Sequence, residues 1–296
     1  MAQPFLKWAG GKRQLLPEIE ARLPVDIDDC SSYFEPFVGG GAVLFRMLEM
    51  FEFETVQISD LNPELMLCYR AIREDADSVA DHLLSLSDIY PTDKEGQKEI
   101  YYGVRDEWNA DVGLEGRFEG EDAVARAART IFLNKTCFNG LFRVNKSGLF
   151  NVPCNYTKRP SLPTEVELLE VQEALQEVNI QVAGFEECEG LVDERSFVYF
   201  DPPYRPISDT SGFVSYSKDN FDDDDQRRLA ELFRRLDAKR ARLMLSNSDP
   251  RNSNPADDFF DDLYSGFEVD RVLARRSINS VGGGRGEILE ILVRNY

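Results

Sequence analysis

The sequence contains a single histidine, His82, and five cysteines, none of which forms a Cys-x-x-Cys pair. One imidazole cannot supply the several histidine ligands of most catalytic zinc sites, and scattered cysteines predict neither a zinc site nor a disulfide framework. Serine-nucleophile chemistry would have to use His82, but no Gly-x-Ser-x-Gly motif accompanies it. We therefore expect no metal, and a chemistry that uses carboxylates, amides, backbone groups and a cofactor.

Long apolar runs are also missing. No stretch approaches the roughly 20 apolar residues of a membrane-spanning helix. The first residues, Met1–Trp8, lack the apolar region of a signal peptide. These absences predict a cytoplasmic protein that contacts no membrane, and 296 residues suffice for one or two domains.

Basic residues are scarce, because 34 Lys and Arg stand against 54 Asp and Glu, and the net charge is −20. This balance alone argues against a nucleic-acid partner. However, residues 1–17, 126–160 and 271–286 contain basic residues and no acid, so positive charge is concentrated in three segments that favour a polyanionic partner. The rest of the chain is acidic, with runs such as Asp222–Asp225, and this leads to the hypothesis of adaptation to a high-salt cytoplasm.

Four residues, Asp201-Pro202-Pro203-Tyr204, follow an apolar run at 197–200 that predicts a short buried strand. The two prolines have no N–H to donate, so the chain must leave the sheet there. In an open α/β sheet, ligands bind beyond the carboxyl ends of the strands. A carboxylate, free carbonyls and an aromatic ring at such an edge suit a planar substrate with an amino group, although a rigid turn without catalytic function explains these four residues equally well.

A triple glycine, Gly39–Gly41, follows a predicted strand at 33–38, and Asp60 ends the next strand at 55–59. In dinucleotide folds such a loop approaches the ligand closely, and the acid binds ribose hydroxyls. The combination predicts an adenosine-containing ligand and leaves open both nicotinamide enzymes and methyltransferases. The segment Lys7–Lys12 is not a P-loop, because the required glycine-lysine spacing is missing.

The alternation of strands and helices is interrupted in the middle of the chain. Helices are predicted near 76–87, 94–110 and 120–134, and the alternation returns with strands at 178–182, 197–200 and 242–246, a helix from 222 to about 238, and strands near 267–274 and 287–294. We therefore predict an α/β fold whose Rossmann-like sheet comprises residues 1–74 and 161–296. A mostly helical insertion occupies residues 75–160, with a hairpin near 138–157.

The segment Phe138–Asn145 interleaves turn residues and aromatic side chains with Arg143, inside an acid-free window. Aromatic side chains can intercalate between bases, and an arginine can read guanine in the major groove. On these residues alone, a surface hairpin with a structural Asn-Gly turn is the preferred interpretation.

Taken together, these segments resemble the Dam-type (alpha-group) DNA adenine N6-methyltransferases, in that family's order and over nearly the whole chain, from Phe5 to Tyr296. The matching segments are Phe5–Lys12, Phe34–Gly41, Ser59–Asn62, Phe138–Asn145, Phe150–Pro153, Phe197–Tyr204, Phe213–Tyr216, Leu245–Ser248 and Arg275–Ile278. One departure is Cys154-Asn155-Tyr156, where the family usually has Phe or Tyr, Gly, any residue and Tyr.

The resemblance implies a site-specific, adenine-specific DNA methyltransferase with S-adenosyl-L-methionine as methyl donor. Its substrate is the N6 amine of an adenine flipped out of double-stranded DNA, and the insertion is the target-recognition domain. The implied catalytic residues are Asp201, Pro202, Pro203 and Tyr204; the implied cofactor-binding residues are Trp8, Lys12, Phe37, Gly39, Gly41, Asp60 and Asp201; and the implied DNA-binding residues are Lys7, Phe138, Asn139, Arg143, Asn145, Pro153 and Tyr156. Arg143 matches an arginine associated with guanine in GATC, which makes GATC the expected site.

Other functions stay open at this point. They are methylation of cytosine N4 or of an RNA adenine, a catalytically inactive DNA-binding homologue, and a nicotinamide dehydrogenase. Cytosine enzymes usually carry Ser in place of Asp201, which weighs against the first of these. The sequence also leaves open a cognate restriction endonuclease as a partner, and we expect a monomer or a weak dimer.

Overall fold

A computed structural model describes residues 1–114, 117–157, 160–205, 221–275 and 287–296. In this part of the chain, seven strands form one sheet in the order β3-β2-β1-β4-β5-β7-β6. The strands are β1 (Ser32–Pro36), β2 (Thr55–Asp60), β3 (Val178–Val182), β4 (Ser196–Phe200), β5 (Arg242–Ser248), β6 (Glu268–Arg275) and β7 (Glu287–Arg294). The first five strands pair in parallel, whereas β7 is antiparallel to both β5 and β6. The α/β prediction is confirmed.

Eight α-helices accompany the sheet in the described ranges. They are α1 (Leu16–Glu20), α2 (Ala42–Met50), α3 (Pro63–Ile89), α4 (Lys94–Ala110), α5 (Gly120–Thr136), α6 (Glu165–Leu175), α7 (Asp223–Ala238) and α8 (Phe259–Leu263). None of the helices in these ranges is long and apolar enough to cross a membrane.

Local sequence explains where two of these helices, α3 and α7, begin. Asn62 caps α3 by accepting hydrogen bonds from the backbone N–H groups of Glu64 and Leu65. Asp222 caps α7 and forms a capping box with Asp225. The aspartate run thus begins a helix.

Helix α3 begins at Pro63 and continues through the helix predicted at 76–87. Asp75 interrupts it with a non-helical backbone, at φ −154° and ψ 74°. The expected boundary between residues 74 and 75 coincides with this break. The assignment of residues 75–160 to a separate domain stays a prediction.

The segment predicted as a hairpin at 138–157 is a loop with little ladder pairing. Isolated antiparallel bridges join Cys137 to Cys154 and Val144 to Phe150. A short 3-10 turn occupies Phe138–Gly140. The loop follows α5 directly, so that helix positions its first residues.

The hydrophobic core lies on both faces of the sheet. One cluster includes Tyr33 and Phe197 with the apolar faces of α3, α5 and α6. The other includes Phe200 and Phe233 and is covered by α7. Strand β4 is buried along its whole length between these clusters, so the residue that follows it emerges from a rigid support.

Candidate active site

Asp201 follows β4 directly, between the neighbouring strands β1 and β5. The Nζ atom of Lys12 lies 2.6 Å from Asp201 Oδ1. The Ser246 hydroxyl donates a hydrogen bond to the same oxygen at 3.1 Å, and is itself 2.8 Å from the Tyr199 hydroxyl. Both contacts use Oδ1, so among the described residues Oδ2 is the carboxylate oxygen that has no hydrogen-bond partner.

Lys12 connects the acid to the aromatic ring of the same tetrapeptide. Its ammonium group is almost fully buried, donates to the carbonyl oxygen of Gly10 at 2.8 Å, and lies 4.6 Å from the centre of the Tyr204 ring. The Lys12 ammonium group therefore interacts with both the Asp201 carboxylate and the Tyr204 ring. This role of Lys12 is absent from the sequence motifs.

Burial controls the protonation of the site. Burial raises the pKa of Asp201, and the Lys12 ammonium partly offsets this effect. Burial also raises the pKa of Tyr204, as does the Asp201 charge, so the phenol stays neutral at ordinary pH. The sequence missed a third group, Glu35, a carboxyl within an otherwise apolar strand, which accepts a hydrogen bond from the Tyr33 hydroxyl at 2.6 Å.

The glycine turn lies beside Asp60. The Gly39 N–H donates to Asp60 Oδ2 at 3.3 Å, and the Asn62 N–H donates to Oδ1 at 2.9 Å. Gly39 and Gly41 both have positive φ, and a Cβ on Gly41 would lie 2.4 Å from the Tyr69 hydroxyl oxygen. Burial raises the pKa of Asp60 to about 6, against the opposing effect of the N–H groups. The turn therefore requires glycine and presents a carboxylate near neutral pH.

Aromatic rings line both sides of this turn. Trp8 is half-buried, packs against Gly39, and stacks on Phe142 with ring centres 5.5 Å apart. Phe37 has a φ of 73° and stacks on Phe185 with ring centres 5.5 Å apart. Phe185 comes from the segment after β3 and was not predicted; an aromatic residue just beyond a strand end is the signal that could have indicated it.

Lys7 contacts the loop at 138–157 through Asn134 of α5. The Asn134 side chain is fully buried and accepts from the Lys7 N–H at 2.8 Å. Its amide group donates to the carbonyl oxygens of Lys7 and Gly140, at 2.8 Å and 2.9 Å. Because Trp8 follows Lys7, the N-terminal segment touches both the glycine turn and this loop.

The predicted DNA-binding residues of the loop differ in their environment. Phe138 is 49% exposed and Tyr156 39% exposed, which is unusual for such rings. Asn139 is exposed with a φ of 58°, and Pro153 accepts a hydrogen bond from the Phe138 N–H at 2.9 Å. The two exposed rings are thus available for a ligand.

Arg143 and Asn145 occupy the central part of the loop. Arg143 donates from Nε to Asn151 Oδ1 at 2.8 Å, and its terminal nitrogens have no partner within the described ranges. Asn145 closes the loop tip, because its side-chain oxygen accepts from the N–H groups of Ser147 and Leu149. The structure therefore gives Asn145 a role in shaping the loop.

Tyr156 lies at the departure from the family pattern. Its backbone has a φ of 52°, and its N–H donates to the Cys154 sulfur at 3.4 Å. The Lys94 ammonium lies 5.9 Å from the centre of its ring. Two of the matching segments, 213–216 and most of 275–278, lie outside the described residues.

The sheet order, the antiparallel seventh strand and the acid-Pro-Pro-Tyr turn beside a glycine turn define a Rossmann-like methyltransferase. The chain belongs to the D12 class of N6 adenine-specific DNA methyltransferases, whose family model matches residues 8–278. Membership confirms the predicted enzyme class and its reaction, adenine N6 methylation of DNA, and it sets aside the cytosine and dehydrogenase alternatives.

Several relatives match the chain from end to end. It is 49% identical to the type II methyltransferase M.MjaIII of Methanocaldococcus jannaschii, over 99% of both chains. It is 37% identical to the type II methyltransferase M1.LlaDCHI of Lactococcus lactis, over 99% of this chain and 95% of the relative. It is also 31% identical to the DNA adenine methylase of Escherichia coli K12, over 97% and 93%. The family implies an S-adenosylmethionine methyl donor.

Proposed function

We propose that Asp201 holds the N6 amine of a flipped adenine in double-stranded DNA while the methyl group is transferred, and that the target is GATC. The observation that carries the first part of this proposal is the hydrogen bonding of the Asp201 carboxylate. Lys12 and Ser246 both fix Oδ1, whereas Oδ2 has no partner in the described part of the chain. A mostly buried, oriented acceptor with one free oxygen suits an amine donor.

The reaction needs such an acceptor because the N6 lone pair is delocalised into the adenine ring. One N6 hydrogen can bond to Asp201 and the other to the Pro202 carbonyl, which accepts no hydrogen bond from the described residues. Two acceptors placed in this way favour a tetrahedral nitrogen whose lone pair points at the methyl group. Tyr204 can stack on the extruded base, which stabilises it by roughly 1–3 kcal/mol.

The cofactor site that we propose comprises Trp8, Lys12, Phe37, Gly39, Gly41 and Asp60. Both glycines have positive φ, where a side chain would be strained, and a Cβ on Gly41 would collide with the Tyr69 hydroxyl, so the turn keeps the bare backbone that can approach a ligand closely. The Asp60 carboxylate suits ribose hydroxyls, and Phe37 with Phe185 offers a flat apolar wall for an adenine ring. When bound, S-adenosylmethionine supplies an electrophilic methyl group.

The DNA-binding surface that we propose is the loop at 138–157 together with Lys7. Exposed Phe138 and Tyr156 offer rings that can enter the base stack when the adenine leaves it. Asn139 is exposed next to Phe138, the Pro153 carbonyl holds the Phe138 N–H, and Asn145 shapes the tip of the loop. The unpaired terminal nitrogens of Arg143 provide the fork that reads a guanine.

The experiment that tests this function is expression in a host free of DNA methylation, followed by sequencing of methylated bases. We expect N6-methyladenine in GATC with the natural protein and none with Asp201→Ala, which should still bind duplex DNA. Methylation by the variant would remove Asp201 from its proposed role. Methylation in another sequence would remove only the GATC assignment.

Arg143→Ala should relax the choice of site more than it slows methylation of the best site. A bidentate arginine–guanine contact discriminates by about 1–3 kcal/mol, so sites with another base at that position should become competitive. Competition between GATC and single-base variants of it measures this effect. Lys146→Ala, at the exposed tip of the same loop, should leave the preference unchanged; an equal relaxation in both variants would contradict a reading role for Arg143.

The relatives that are named type II methyltransferases support one further part of the proposal, that methylation protects DNA from a cognate restriction endonuclease. We propose that the enzyme itself acts as a monomer or weak dimer. Light scattering across a range of protein concentrations tests this second statement.

A further inference from the structure

Two buried amide side chains lie behind the prolines of the tetrapeptide. Gln226 of α7 and Asn247 of β5 are both fully buried. Gln226 donates from Nε2 to the Pro203 carbonyl oxygen at 3.2 Å, and its Oε1 accepts from Asn247 Nδ2 at 3.4 Å. Asn247 Oδ1 in turn accepts from the Ser248 N–H at 2.8 Å. The two amides thus form a relay from the backbone of β5 to the prolyl turn.

The direction of this relay is fixed at both ends by backbone groups. The Ser248 N–H can only donate, so it selects the oxygen of Asn247 and leaves the Asn247 nitrogen to donate onward. The Pro203 carbonyl can only accept, so it selects the nitrogen of Gln226. Neither amide can turn over without breaking a buried hydrogen bond. The relay therefore holds the Pro203 carbonyl in one orientation.

Strand β5 thereby contacts the tetrapeptide through side chains on both faces of the strand. Consecutive residues of a strand point to opposite sides, so Ser246 and Asn247 diverge. Ser246 bonds to the Asp201 carboxylate, whereas Asn247 acts through Gln226 on Pro203. Because neither proline has an N–H, their carbonyl oxygens are the only backbone groups of the two prolines that can form hydrogen bonds.

We propose that Gln226, oriented by Asn247, is a positioning residue for methyl transfer. By holding the Pro203 carbonyl away from the substrate, it sets the turn so that the Pro202 carbonyl and the Tyr204 ring meet the target adenine. This inference rests on the proposed role of the tetrapeptide. The motif Leu245–Ser248, which had no assigned role, acquires one.

Single-turnover kinetics test the proposal, with DNA and methyl donor both saturating. Gln226→Met keeps the length of the side chain and removes its hydrogen bonds. We expect its rate constant for methyl transfer to fall about 10- to 100-fold, because small misplacements at a reacting centre have effects of that size. The affinity for the methyl donor should not change. A purely structural role would lower the amplitude, which counts folded enzyme, and leave the rate constant intact; that result would overturn the proposal.

Gln226→Glu provides a second, pH-dependent readout. The protonated carboxyl introduced there can donate to the Pro203 carbonyl, whereas the ionised form cannot and repels it. We expect the ratio of variant to natural rate constants to fall as pH rises through the titration of this group. Gln57→Glu is the matched control, because Gln57 is a buried glutamine of β2 whose amide bonds to Asn179.

Comparison of the two Gln226 variants with the natural protein distinguishes a failure of the positioning role from a failure of the proposed function. A pH-independent ratio for Gln226→Glu, or the same fall in Gln57→Glu, would overturn the positioning role. An inactive natural protein on duplex DNA would instead contradict the proposed function itself. If Gln226→Met does not fold, the Gln226→Glu series at low pH still measures the rate constant with the hydrogen bond present.

Discussion

Glu35 is a buried carboxyl group close to the reacting centre. It is 2% exposed on β1 and lies within electrostatic range of Lys12 and Asp201. Burial raises the pKa of Glu35 to about 8, the hydrogen bond from Tyr33 opposes this, and the Asp201 charge raises it further. At neutral pH Glu35 is therefore largely protonated, so it does not place a full negative charge beside Asp201.

Glu35→Gln should make the stability of the protein less dependent on pH. In the unfolded chain this carboxyl loses its proton near its ordinary pKa of 4.5, whereas the folded protein retains it to about 8. The natural protein therefore loses stability as pH rises across that interval, by at most about 1.4 kcal/mol per pH unit. The variant amide does not titrate, so its free energy of unfolding should increase relative to the natural protein between these pH values. Urea unfolding at constant ionic strength measures the difference, and parallel curves would contradict it.

The sequence predicted the acidic residues of the site better than it predicted the residues that hold the tetrapeptide in place. Asp201 and Asp60 each follow a strand whose pattern is readable, so the position of both beyond the sheet could be inferred. The contact between Lys12 and Asp201 could not, because the two residues are distant in sequence and meet only in the folded sheet. Gln226 gives no signal either, since a single glutamine in an amphipathic helix has no pattern that separates it from solvent-exposed neighbours.

At the scale of elements, α5 connects the N-terminal segment to the loop at 138–157. Asn134 carries three hydrogen bonds between them, two to Lys7 and one to Gly140. Gly140 has a φ of 65°, and a Cβ there would lie 2.4 Å from a carbon of the Lys7 side chain. The two segments are thus in close contact, and their relative placement depends on this helix.

Asn134→Ala should weaken DNA binding as well as stability. It leaves three backbone groups without this partner, two on Lys7 and the buried carbonyl of Gly140, and a buried group that finds no water costs about 1–3 kcal/mol. We expect a loss of a few kcal/mol in unfolding free energy and at least a tenfold weaker affinity for duplex DNA, measured below the unfolding range. The affinity for the methyl donor should fall less.

Asn295→Ala is the matched control for this helix. Asn295 likewise accepts from one backbone N–H, that of Leu243, and donates to the Ala241 carbonyl and to Asp237, all remote from the loop. It should lower stability without changing DNA affinity. If both variants bind DNA equally well, the placement of the loop does not depend on Asn134.

Strands and helices with a clear hydrophobic periodicity could be predicted from the sequence. Elements whose boundaries depend on a short local motif were missed. The sheet strands and α7 were found, but α6 was missed although Thr164 and Glu167 form a capping box before the buried residues Leu168 and Val171. In the segment at 138–157, the preferred interpretation from those residues alone placed a tight turn at the Asn-Gly pair. Instead Asn139 and Gly140 both take positive φ within a 3-10 turn that α5 leads into.

At the scale of the whole molecule, not every basic residue of the acid-free segments 1–17, 126–160 and 271–286 is available to bind DNA. Arg126 is fully buried and pairs with Glu64 at 2.9 Å. Arg271 pairs with Asp249 and Asp261, at 2.9 Å and 2.6 Å. The acids come from outside the windows, so sequence alone could not reveal these pairs. In contrast, Arg143 has no acidic partner among the described residues, which supports its place on the DNA-binding surface.

The same charge distribution bears on stability in salt. The net charge is −20, and only 9 of the 34 basic residues are lysines. Many arginines already pair with neighbouring acids, so the excess negative charge has few further partners in the folded state. Like charges on a compact surface repel one another, and this repulsion weakens as salt shortens the screening length from about 10 Å at 0.1 M to about 3 Å at 1 M.

Stability should therefore rise with potassium chloride between 0.1 and 2 M. We expect the urea midpoint to increase most steeply below about 1 M, where the screening length changes most, and to flatten above it. Sucrose at matched osmolality is the control, because it favours the compact state by exclusion without screening charge. DNA affinity should fall over the same range, since binding to phosphates releases counterions. A protein that is fully stable and active in dilute buffer, with a midpoint independent of salt, would contradict adaptation to a high-salt interior.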